Sequence, residues 1–174
     1  GTLGGAVVMN AGAYGGEMKD VLTSVRVMTK EGEIMELPAE KLGLGYRTSI
    51  IPEKRYIVLG AVISLTEGKK EEIKAQMDDL RQKRVSKQPL EYPSAGSTFK
   101  RPEGYFAGKL IQDSGLKGFT VGGAQVSEKH SGFVINKGNA TAADVMELIR
   151  QVTAKVKEDT GVTMEPEVKQ IGEF

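Results

Sequence analysis

The sequence predicts an α+β fold in two parts: a first part built on a mixed sheet, and a second part with a small sheet and two helices. Residues 21–29 alternate as a strand does, and a hairpin turn and a second apolar segment follow them. Residues 69–84 and residues 145–156 each repeat apolar side chains at helical spacing. A chain of 174 residues has room for one domain or two small ones.

Composition limits the classes of ligand. The 24 basic and 23 acidic residues nearly balance, which indicates no broad patch for nucleic acid or a membrane surface. The absence of cysteine excludes disulfides and thiolate metal sites, and the single histidine, His130, cannot form a histidine cluster. No apolar run is long enough to span a bilayer. We therefore expect no nucleic acid, membrane or metal among the partners.

The first part begins with a glycine-rich segment, residues 1–16. Such a segment offers backbone N–H groups without side-chain obstruction, which suits a pyrophosphate. It is not the G-x-G-x-x-G dinucleotide motif, and no strand precedes it. The alternative interpretation is an ordinary glycine-rich turn region.

The rest of the first part predicts three strands. In residues 21–29, Val25 and Val27 share one face, and Glu31-Gly32 forms a hairpin turn into residues 34–37. Residues 38–42 predict one helical turn. Residues 56–65 are rich in Ile, Val and Leu, so we expect a mostly buried strand there.

Residues 69–84 predict a helix that ends one part or links the two. Its apolar stripe is surrounded by charges, and we expect the stripe to pack in the core rather than against a cofactor. The stripe consists of Ile73, Met77, Leu80 and Arg84.

The second part predicts two further helices and a small sheet. A short helix around residues 106–111 ends at Gly115, and residues 119–126 and 132–135 predict two strands. Thr141 and Asp144 resemble a capping box for a helix that runs to residue 160 and stops at Gly161. Residues 162–171 predict a last strand.

A serine-containing segment, residues 93–102, lies near the start of the second part. Prolines bound it at both ends, so we predict a loop rather than a helix or strand. Gly96 permits a sharp turn and places Ser97 on a fixed, exposed loop. Lys100 and Arg101 beside it suit an anionic ligand. The alternative is an ordinary turn with solvated basic residues.

Two other residues have both a functional and an ordinary interpretation. Arg47 follows Tyr46, and its planar guanidinium can hold a carboxylate, although most arginines are surface charges. His130 lies in a polar segment between two predicted strands, where a structural histidine is more typical than a catalyst.

Four segments in register carry a family pattern. They are residues 1–6 with 10–15, residues 45–49, the serine segment and residues 164–168. Together they resemble the UDP-N-acetylenolpyruvoylglucosamine reductases, flavoenzymes of bacterial peptidoglycan synthesis. The resemblance extends from Gly1 to about Gly172.

The resemblance implies a reaction and three catalytic residues. The substrate is an enolpyruvyl ether of a UDP-sugar, and the cofactors are FAD and NADPH. By this resemblance Arg47 stabilises negative charge on the pyruvyl carboxylate, and Ser97 donates a proton to the α-carbon. Glu167 hydrogen-bonds the substrate as a neutral acid, since two carboxyl groups close together favour keeping one protonated. Without the resemblance, Glu167 is an exposed glutamate.

The resemblance also implies binding residues. The flavin contacts are Gly4, Gly5, Asn10, Gly12 and Ala13. The substrate contacts are Tyr46, Lys87, Lys100 and Arg101. Lys87 can instead be a solvated lysine, and Arg101 stands where many family members have asparagine.

The resemblance finally implies that the chain is the later part of such an enzyme. Residues 1–85 correspond to the remnant of an FAD-binding domain with a linker helix, and residues 86–174 to a C-terminal substrate-binding domain. The family's first flavin-binding subdomain has no counterpart here. The implied location is the cytoplasm, and the oligomeric state stays open.

Two other functions remain open. One is a non-catalytic module that holds a UDP-sugar without flavin. The other is a related flavin oxidoreductase with another substrate, against which the serine segment argues.

Overall fold

The computed structural model describes residues 1–172 and confirms the α+β fold class. The chain divides into two compact units, Gly1–Gln76 and Met77–Phe174, with the boundary inside a long helix. The sequence predicts a boundary after residue 85. The last two residues of the predicted second domain lie outside the described residues.

The first unit is built on a three-stranded sheet that is antiparallel throughout, rather than on the predicted mixed sheet, because both neighbours of the central strand run opposite to it. Its elements are α1 (Leu3–Val8), β1 (Gly12–Ala13), β2 (Gly16–Glu17), β3 (Leu22–Met28), β4 (Ile34–Pro38), α2 (Ile50–Lys54) and β5 (Ile57–Ile63). The predicted hairpin between β3 and β4 is confirmed, with Gly32 in the left-handed region at φ +87°. Ala39–Lys41 forms the predicted helical turn.

The core of the first unit lies between this sheet and the two short helices. Its fully buried members are apolar side chains from β3, from both helices and from the turn after β4. They are Val7, Leu22, Val25, Val27, Leu42 and Ile51.

Two elements of the first unit differ from the prediction. Helix α1 lies inside the glycine-rich segment, where the Thr2 hydroxyl caps it by accepting a hydrogen bond from the Gly5 N–H at 3.2 Å. Strand β5 is not mostly buried, since Ile57 is 55% exposed and Val62 is 53% exposed. It pairs with β3 alone in the sheet, and its Val58 and Ala61 face the core while the other face is open.

The long helix α3 (Lys70–Lys87) confirms the predicted element, but the core assignment of its stripe is wrong. Ile73 is 47% exposed and Met77 is 65% exposed, and no residue of α3 is buried. Its acidic first turn and basic last turn complement the helix dipole. Local propensity and charge placement, rather than an apolar contact, therefore account for this helix.

The second unit contains a four-stranded antiparallel sheet of order β6-β9-β8-β7 with two helices. Its further elements are β6 (Ser94–Ser97), α4 (Ala107–Asp113), β7 (Thr120–Val121), β8 (Ala124–Val126), β9 (Phe133–Asn136) and α5 (Ala142–Thr160). The predicted helix stops at Gly115 and Gly161 are confirmed, with both glycines at positive φ.

Helix α5 supplies one side of the second core. The predicted capping box is present, since the Thr141 hydroxyl accepts from the Asp144 N–H at 3.1 Å and the Asp144 carboxylate accepts from the Thr141 N–H at 2.8 Å. Four apolar residues at helical spacing then become buried against α4 and the sheet. They are Leu148, Ile149, Val152 and Val156.

Three predictions for the second unit are wrong. The serine segment is a strand over residues 94–97, because β9 supplies backbone partners that its prolines do not block. Residues 119–126 are not one strand, since Gly122 at φ +53° turns β7 into β8. The tail after residue 162 makes an isolated bridge between Phe99 and Pro166 instead of a strand.

A close approach at Gly123 yields the first testable prediction. An added Cβ there lies 2.2 Å from the Gly138 carbonyl oxygen, whereas one at Gly138 lies in open space. We expect Gly123→Ala to destabilise the second unit by about 1–3 kcal/mol, the usual range for overpacking, and Gly138→Ala to change it little. Urea unfolding, followed by hydrogen exchange in β8 and β9, measures both. Equal urea midpoints for the two variants contradict this prediction.

Candidate functional site

Ser97 lies at the end of β6 with its side chain exposed. It pairs with Phe133 of β9, and the register between Ser94 and Ser97 is irregular because Gly96 adopts φ +87°. An added Cβ on the buried Gly132 lies 3.7 Å from the Ser97 Oγ. The serine therefore stands on a bulged strand end close to β9, rather than on the predicted loop.

The next residue, Thr98, fixes this strand end. Its N–H donates to the Gly132 carbonyl at 2.8 Å, and its buried hydroxyl accepts from the Val134 N–H at 2.9 Å. Both bonds tie the backbone beside Ser97 to β9. The position of Ser97 is consequently set by the sheet.

The C-terminal segment brings Glu167 to the same strand. The Glu167 N–H donates to the Thr98 carbonyl at 2.8 Å, and the Lys100 N–H donates to the Glu165 carbonyl at 2.9 Å. The half-buried Glu167 therefore lies on the backbone segment next to Ser97, although 70 positions separate them in the chain. The two predicted catalytic residues of the second unit are neighbours.

Two cations follow Ser97, and both already have protein contacts. The Lys100 Nζ lies 2.9 Å from the Glu165 carboxylate, and this ammonium lowers the pKa of Glu165. The Arg101 Nε donates to the Tyr105 carbonyl at 3.3 Å, and its guanidinium lies 4.0 Å from the Phe106 ring centroid. Stacking on an exposed ring holds a guanidinium in one plane, which favours contact with a planar or phosphate anion.

His130 lies in the loop just before β9. Its Nδ1 accepts from the Gly132 N–H at 3.1 Å, which requires the tautomer with the proton on Nε2. Burial lowers the pKa of His130, and the charges of Lys117 and Lys87 lower it further, against an opposing backbone hydrogen bond. Its ring contacts Phe133 edge-on at 5.0 Å.

His130 is thus a neutral residue packed beside the strand partner of Ser97. An added Cβ at Gly132 or at Gly108 lies 3.1 Å or 3.3 Å from the His130 ring. The sequence favours a structural role for His130, and these contacts are structural. The two glycines that leave room for its ring, Gly108 and Gly132, are the signal in the sequence for this packing.

The glycine-rich segment of the first unit presents small residues at its surface. Gly5 and Ala13 are exposed, and Gly4 and Gly12 are half-buried. Gly12 is needed sterically, because an added Cβ lies 2.7 Å from the Gly16 carbonyl oxygen. Asn10, in contrast, is 1% exposed, and its carboxamide is hydrogen-bonded within the protein.

Arg47 lies in a turn next to this segment. The turn is closed by mutual backbone hydrogen bonds between Gly45 and Thr48, and Arg47 adopts the left-handed φ of +55°. Its Nη1 donates to the Gly12 carbonyl at 3.4 Å, and its guanidinium lies 5.3 Å from the ring centroid of the exposed Tyr46. The predicted carboxylate clamp and part of the predicted flavin surface are therefore neighbours.

Each unit brings together its own share of the predicted site. Arg47 and Tyr46 join the glycine-rich segment in the first unit, and Ser97, Glu167, Lys100 and Arg101 lie around one strand in the second. Lys87 ends α3 in the second unit and is exposed. A shared site for Arg47, Ser97 and Glu167 stays a prediction.

Residues 1–172 lack two kinds of feature. No group of three or more His, Cys, Asp or Glu side chains in this range is placed to hold a metal ion. Within the same range, no helix is both long enough and apolar enough to cross a bilayer.

Two family models match separate parts of the chain. Residues 1–38, which include the glycine-rich segment and the β3–β4 hairpin, match the family model described as an FAD binding domain. Residues 88–171 match the family model described as the C-terminal domain of UDP-N-acetylenolpyruvoylglucosamine reductase.

Individual relatives agree over nearly the whole chain. The chain is 65% identical to the UDP-N-acetylenolpyruvoylglucosamine reductase of Agathobacter rectalis, over all of this chain and 55% of that protein. It is 64% identical to that of Lachnoclostridium phytofermentans, over 99% of this chain and 56% of that protein. The crystal structure of the reductase MurB from Thermus caldophilus superposes with a TM-score of 0.83 at 41% identity, covering 96% of this chain and 59% of that one.

The resemblance that the four motifs predict is therefore confirmed: residues 88–171 match the C-terminal domain of the UDP-N-acetylenolpyruvoylglucosamine reductases, and relatives with that name match nearly the whole chain. The chain spans about half the length of the curated relatives it matches.

The depressed pKa of His130 predicts how stability varies with pH. The folded state keeps His130 neutral below its ordinary value of 6.5, where the unfolded chain is protonated. The unfolded state binds more protons there, so stability falls as pH drops from about 6.5 toward the folded pKa. Glu165 and Glu147 have lowered pKa values, so they cause a further loss of stability at lower pH, as the pH falls below about 4.5.

The chain has one histidine, so NMR titration of its ring proton reports this group alone. We expect a midpoint below 6.5 and a lower urea midpoint near pH 5.5 than near pH 7.5. In His130→Asn this pH difference should disappear. A titration midpoint at or above 6.5 contradicts the prediction.

Proposed function

We propose that the protein containing this chain reduces the enolpyruvyl group of UDP-N-acetylglucosamine enolpyruvate to UDP-N-acetylmuramate, with NADPH and FAD as cofactors, for peptidoglycan synthesis. The observation that carries the proposal is the exposed Ser97 hydroxyl, fixed on β6 beside Glu167 and a cation, in a domain of the reductase family. Since UDP-sugars and NADPH are cytoplasmic metabolites, we also propose a cytoplasmic location.

The residues of the glycine-rich segment fit a flavin. Gly15 and Gly16 have open space where a side chain would stand, and Gly5 and Ala13 are exposed beside them. Backbone surfaces of this kind approach a dinucleotide closely. Gly4, Gly5, Gly12 and Ala13 would hold the FAD, and the segment around Asn10 supports them. When bound, the flavin supplies the hydride that NADPH provides.

Arg47 is assigned to the substrate carboxylate. Hydride addition to the β-carbon of the double bond leaves negative charge on the pyruvyl carboxylate as an enediolate-like state. A guanidinium lowers the energy of that state most when its position is fixed in advance, because no reorganisation is then needed. Hydrogen bonding to the Gly12 carbonyl and the contact with Tyr46 support such a fixed position.

Ser97 is assigned the proton that the α-carbon receives. A serine hydroxyl is a weak acid, so it serves only a strongly basic acceptor in tight geometry. The sheet bonds of Thr98 support that geometry, because they hold the backbone on one side of the serine. The carbanion-like α-carbon of the enediolate supplies the basicity.

Glu167, the third proposed catalytic residue, and the nearby cations are assigned to contacts with the substrate. Glu167 is proposed to hydrogen-bond the substrate carboxylate as a neutral acid, since two carboxyl groups share a site best with one proton between them. Lys100 and Arg101 are proposed to face the anionic UDP group, with Lys87 and Tyr46 as further contacts. The Arg101 guanidinium, stacked on Phe106, is charged and presents donors on separate nitrogens, whereas an asparagine amide is neutral and donates from one nitrogen.

The chain covers about half the length of its relatives, and this predicts how tightly the chain alone binds FAD. A dinucleotide needs contacts along its whole length, and the FAD-domain match extends over residues 1–38. We expect the 174-residue chain alone to bind FAD weakly or not at all. Absorbance of the purified chain in the flavin bands measures this, with a family reductase of full length as the control. Stoichiometric FAD retained through gel filtration contradicts the expectation.

Titration with a UDP-N-acetylglucosamine derivative separates the two functions that stayed open for the chain alone. A colourless chain that binds the nucleotide indicates a UDP-sugar-binding segment. A yellow chain with no affinity for the nucleotide indicates a flavin protein with another substrate.

Ser97 yields a kinetic prediction in the full-length reductase. Ser97→Ala should leave reduction of the flavin by NADPH unchanged, because that half-reaction needs no proton from Ser97. The second half-reaction should slow by roughly two to four orders of magnitude, the usual loss for a general acid. Ser97→Cys should recover part of the rate, since a thiol can deliver a proton.

Stopped-flow measurement of each half-reaction decides the role of Ser97. Ser94→Ala is the matched control, because Ser94 lies on the same strand with an exposed hydroxyl. Substrate binding should change much less than turnover in Ser97→Ala. Equal slowing of both half-reactions, or none of the second, removes Ser97 from the acid role.

A further inference from the structure

Asn10 uses its whole carboxamide inside the first unit. Its Nδ2 donates to the Glu17 carboxylate at 2.6 Å and to the Gly45 carbonyl at 3.1 Å, and its Oδ1 accepts from the Lys19 N–H at 2.9 Å. The residue is 1% exposed. A buried amide with both donors and its acceptor bonded is costly to replace, since any lost partner leaves an unsatisfied polar group.

One of these bonds reaches the turn that carries Arg47. The Gly45 carbonyl is the first acceptor of that turn and also accepts from the Thr48 N–H at 3.3 Å. Asn10 thus bonds the turn two residues before Arg47.

A second side chain holds the other flank of the turn. The Ser49 hydroxyl donates to the Val8 carbonyl at 2.6 Å, two residues after Arg47. Val8 and Asn10 both lie within the glycine-rich segment. The turn is therefore tied to that segment on both sides of Arg47.

The backbone of Arg47 explains why such ties matter. Arg47 adopts φ +55°, a conformation that costs free energy for a residue other than glycine and persists where its surroundings impose it. Asn10 itself adopts φ +46°, which asparagine tolerates better than most residues. Released from the Gly45 bond, the turn can relax, and the guanidinium then leaves its place beside the Gly12 carbonyl.

We propose that Asn10 is a positioning residue for Arg47: its carboxamide holds the Gly45–Thr48 turn against the glycine-rich segment and so fixes the guanidinium for the substrate carboxylate. This inference rests on the proposed role of Arg47. It assigns the Asn10 side chain to the turn and leaves its backbone available to the flavin.

Two substitutions separate the side chain from the backbone. Asn10→Gly accepts the left-handed φ and removes the carboxamide. Asn10→Asp keeps the shape but places a carboxylate oxygen where the donor to Gly45 and Glu17 stands, so it repels both acceptors. Asn139→Gly and Asn139→Asp are matched controls, because Asn139 is exposed and has a φ of +56°.

The experiment measures both half-reactions by stopped flow in a full-length family reductase that contains this chain. We expect Asn10→Gly and Asn10→Asp to slow reduction of the substrate by about ten- to a hundredfold, the range for a misplaced catalytic group, with flavin reduction by NADPH unchanged. The two Asn139 controls should match the unsubstituted enzyme.

A double-mutant cycle with Arg47→Ala tests whether Asn10 acts through Arg47. If it does, Asn10→Gly has little further effect once the guanidinium is gone. Full additivity of the two losses overturns the proposal, as does slowing of both half-reactions by Asn10→Gly.

A measurement on the 174-residue chain tests the positioning role of Asn10 without depending on the proposed activity. Nitrogen-15 relaxation should give a lower order parameter for the Arg47 backbone amide in Asn10→Gly, with the β3 amides unchanged. If the unsubstituted full-length enzyme fails to reduce the enolpyruvyl substrate, the proposed function fails, and this order parameter still decides the positioning. An unchanged Arg47 order parameter overturns the proposal.

Discussion

Thr98 joins three segments of the second unit through its backbone and side chain. Its N–H and hydroxyl bond β9, and its carbonyl accepts from Glu167 in the C-terminal segment. The residue is 2% exposed, so these bonds are shielded from competing water. Ser97, the proposed acid, directly precedes Thr98 in the chain. One buried threonine therefore holds in place both the strand end with Ser97 and the segment with Glu167, the proposed substrate contact.

The first unit achieves the same result by different means. Its site residue Arg47 lies in a strained turn rather than on a strand, and side-chain bonds from Asn10 and Ser49 take the place of a sheet ladder. Strain of this kind is kept where the surroundings over-determine the backbone. Both units therefore hold a proposed site residue in place through buried polar neighbours.

The sequence predicts those elements whose signals are local. The hairpin after β3, the capping box of α5 and the glycine stops each depend on a few adjacent residues, and all are confirmed. Errors occur where a distant partner decides the outcome. β6 becomes a strand because β9 provides its hydrogen-bonding partners. No residue of α3 is buried, and an apolar stripe in a sequence does not tell whether another element packs against it.

The candidate site follows the same rule. Ser97 and Arg47 are proposed from sequence because each belongs to a family motif. Their support is harder to recognise, since Thr98 and Asn10 act through bonds to residues about 35 positions away. The burial of Thr98 and Asn10, and the positive φ of Asn10 and Arg47, are known from the structure and not from the sequence.

The outward face of β5 has a consequence for handling the chain. Ile57, Leu59 and Val62 present a row of apolar side chains on a strand that pairs with β3 on one side. Among residues 1–172, this strand is at the edge of its sheet, with backbone groups that another strand can pair. Such an edge favours association between copies as concentration rises. Dilute solutions, or a lysine placed at Leu59, would keep the chain in a form suited to spectroscopy.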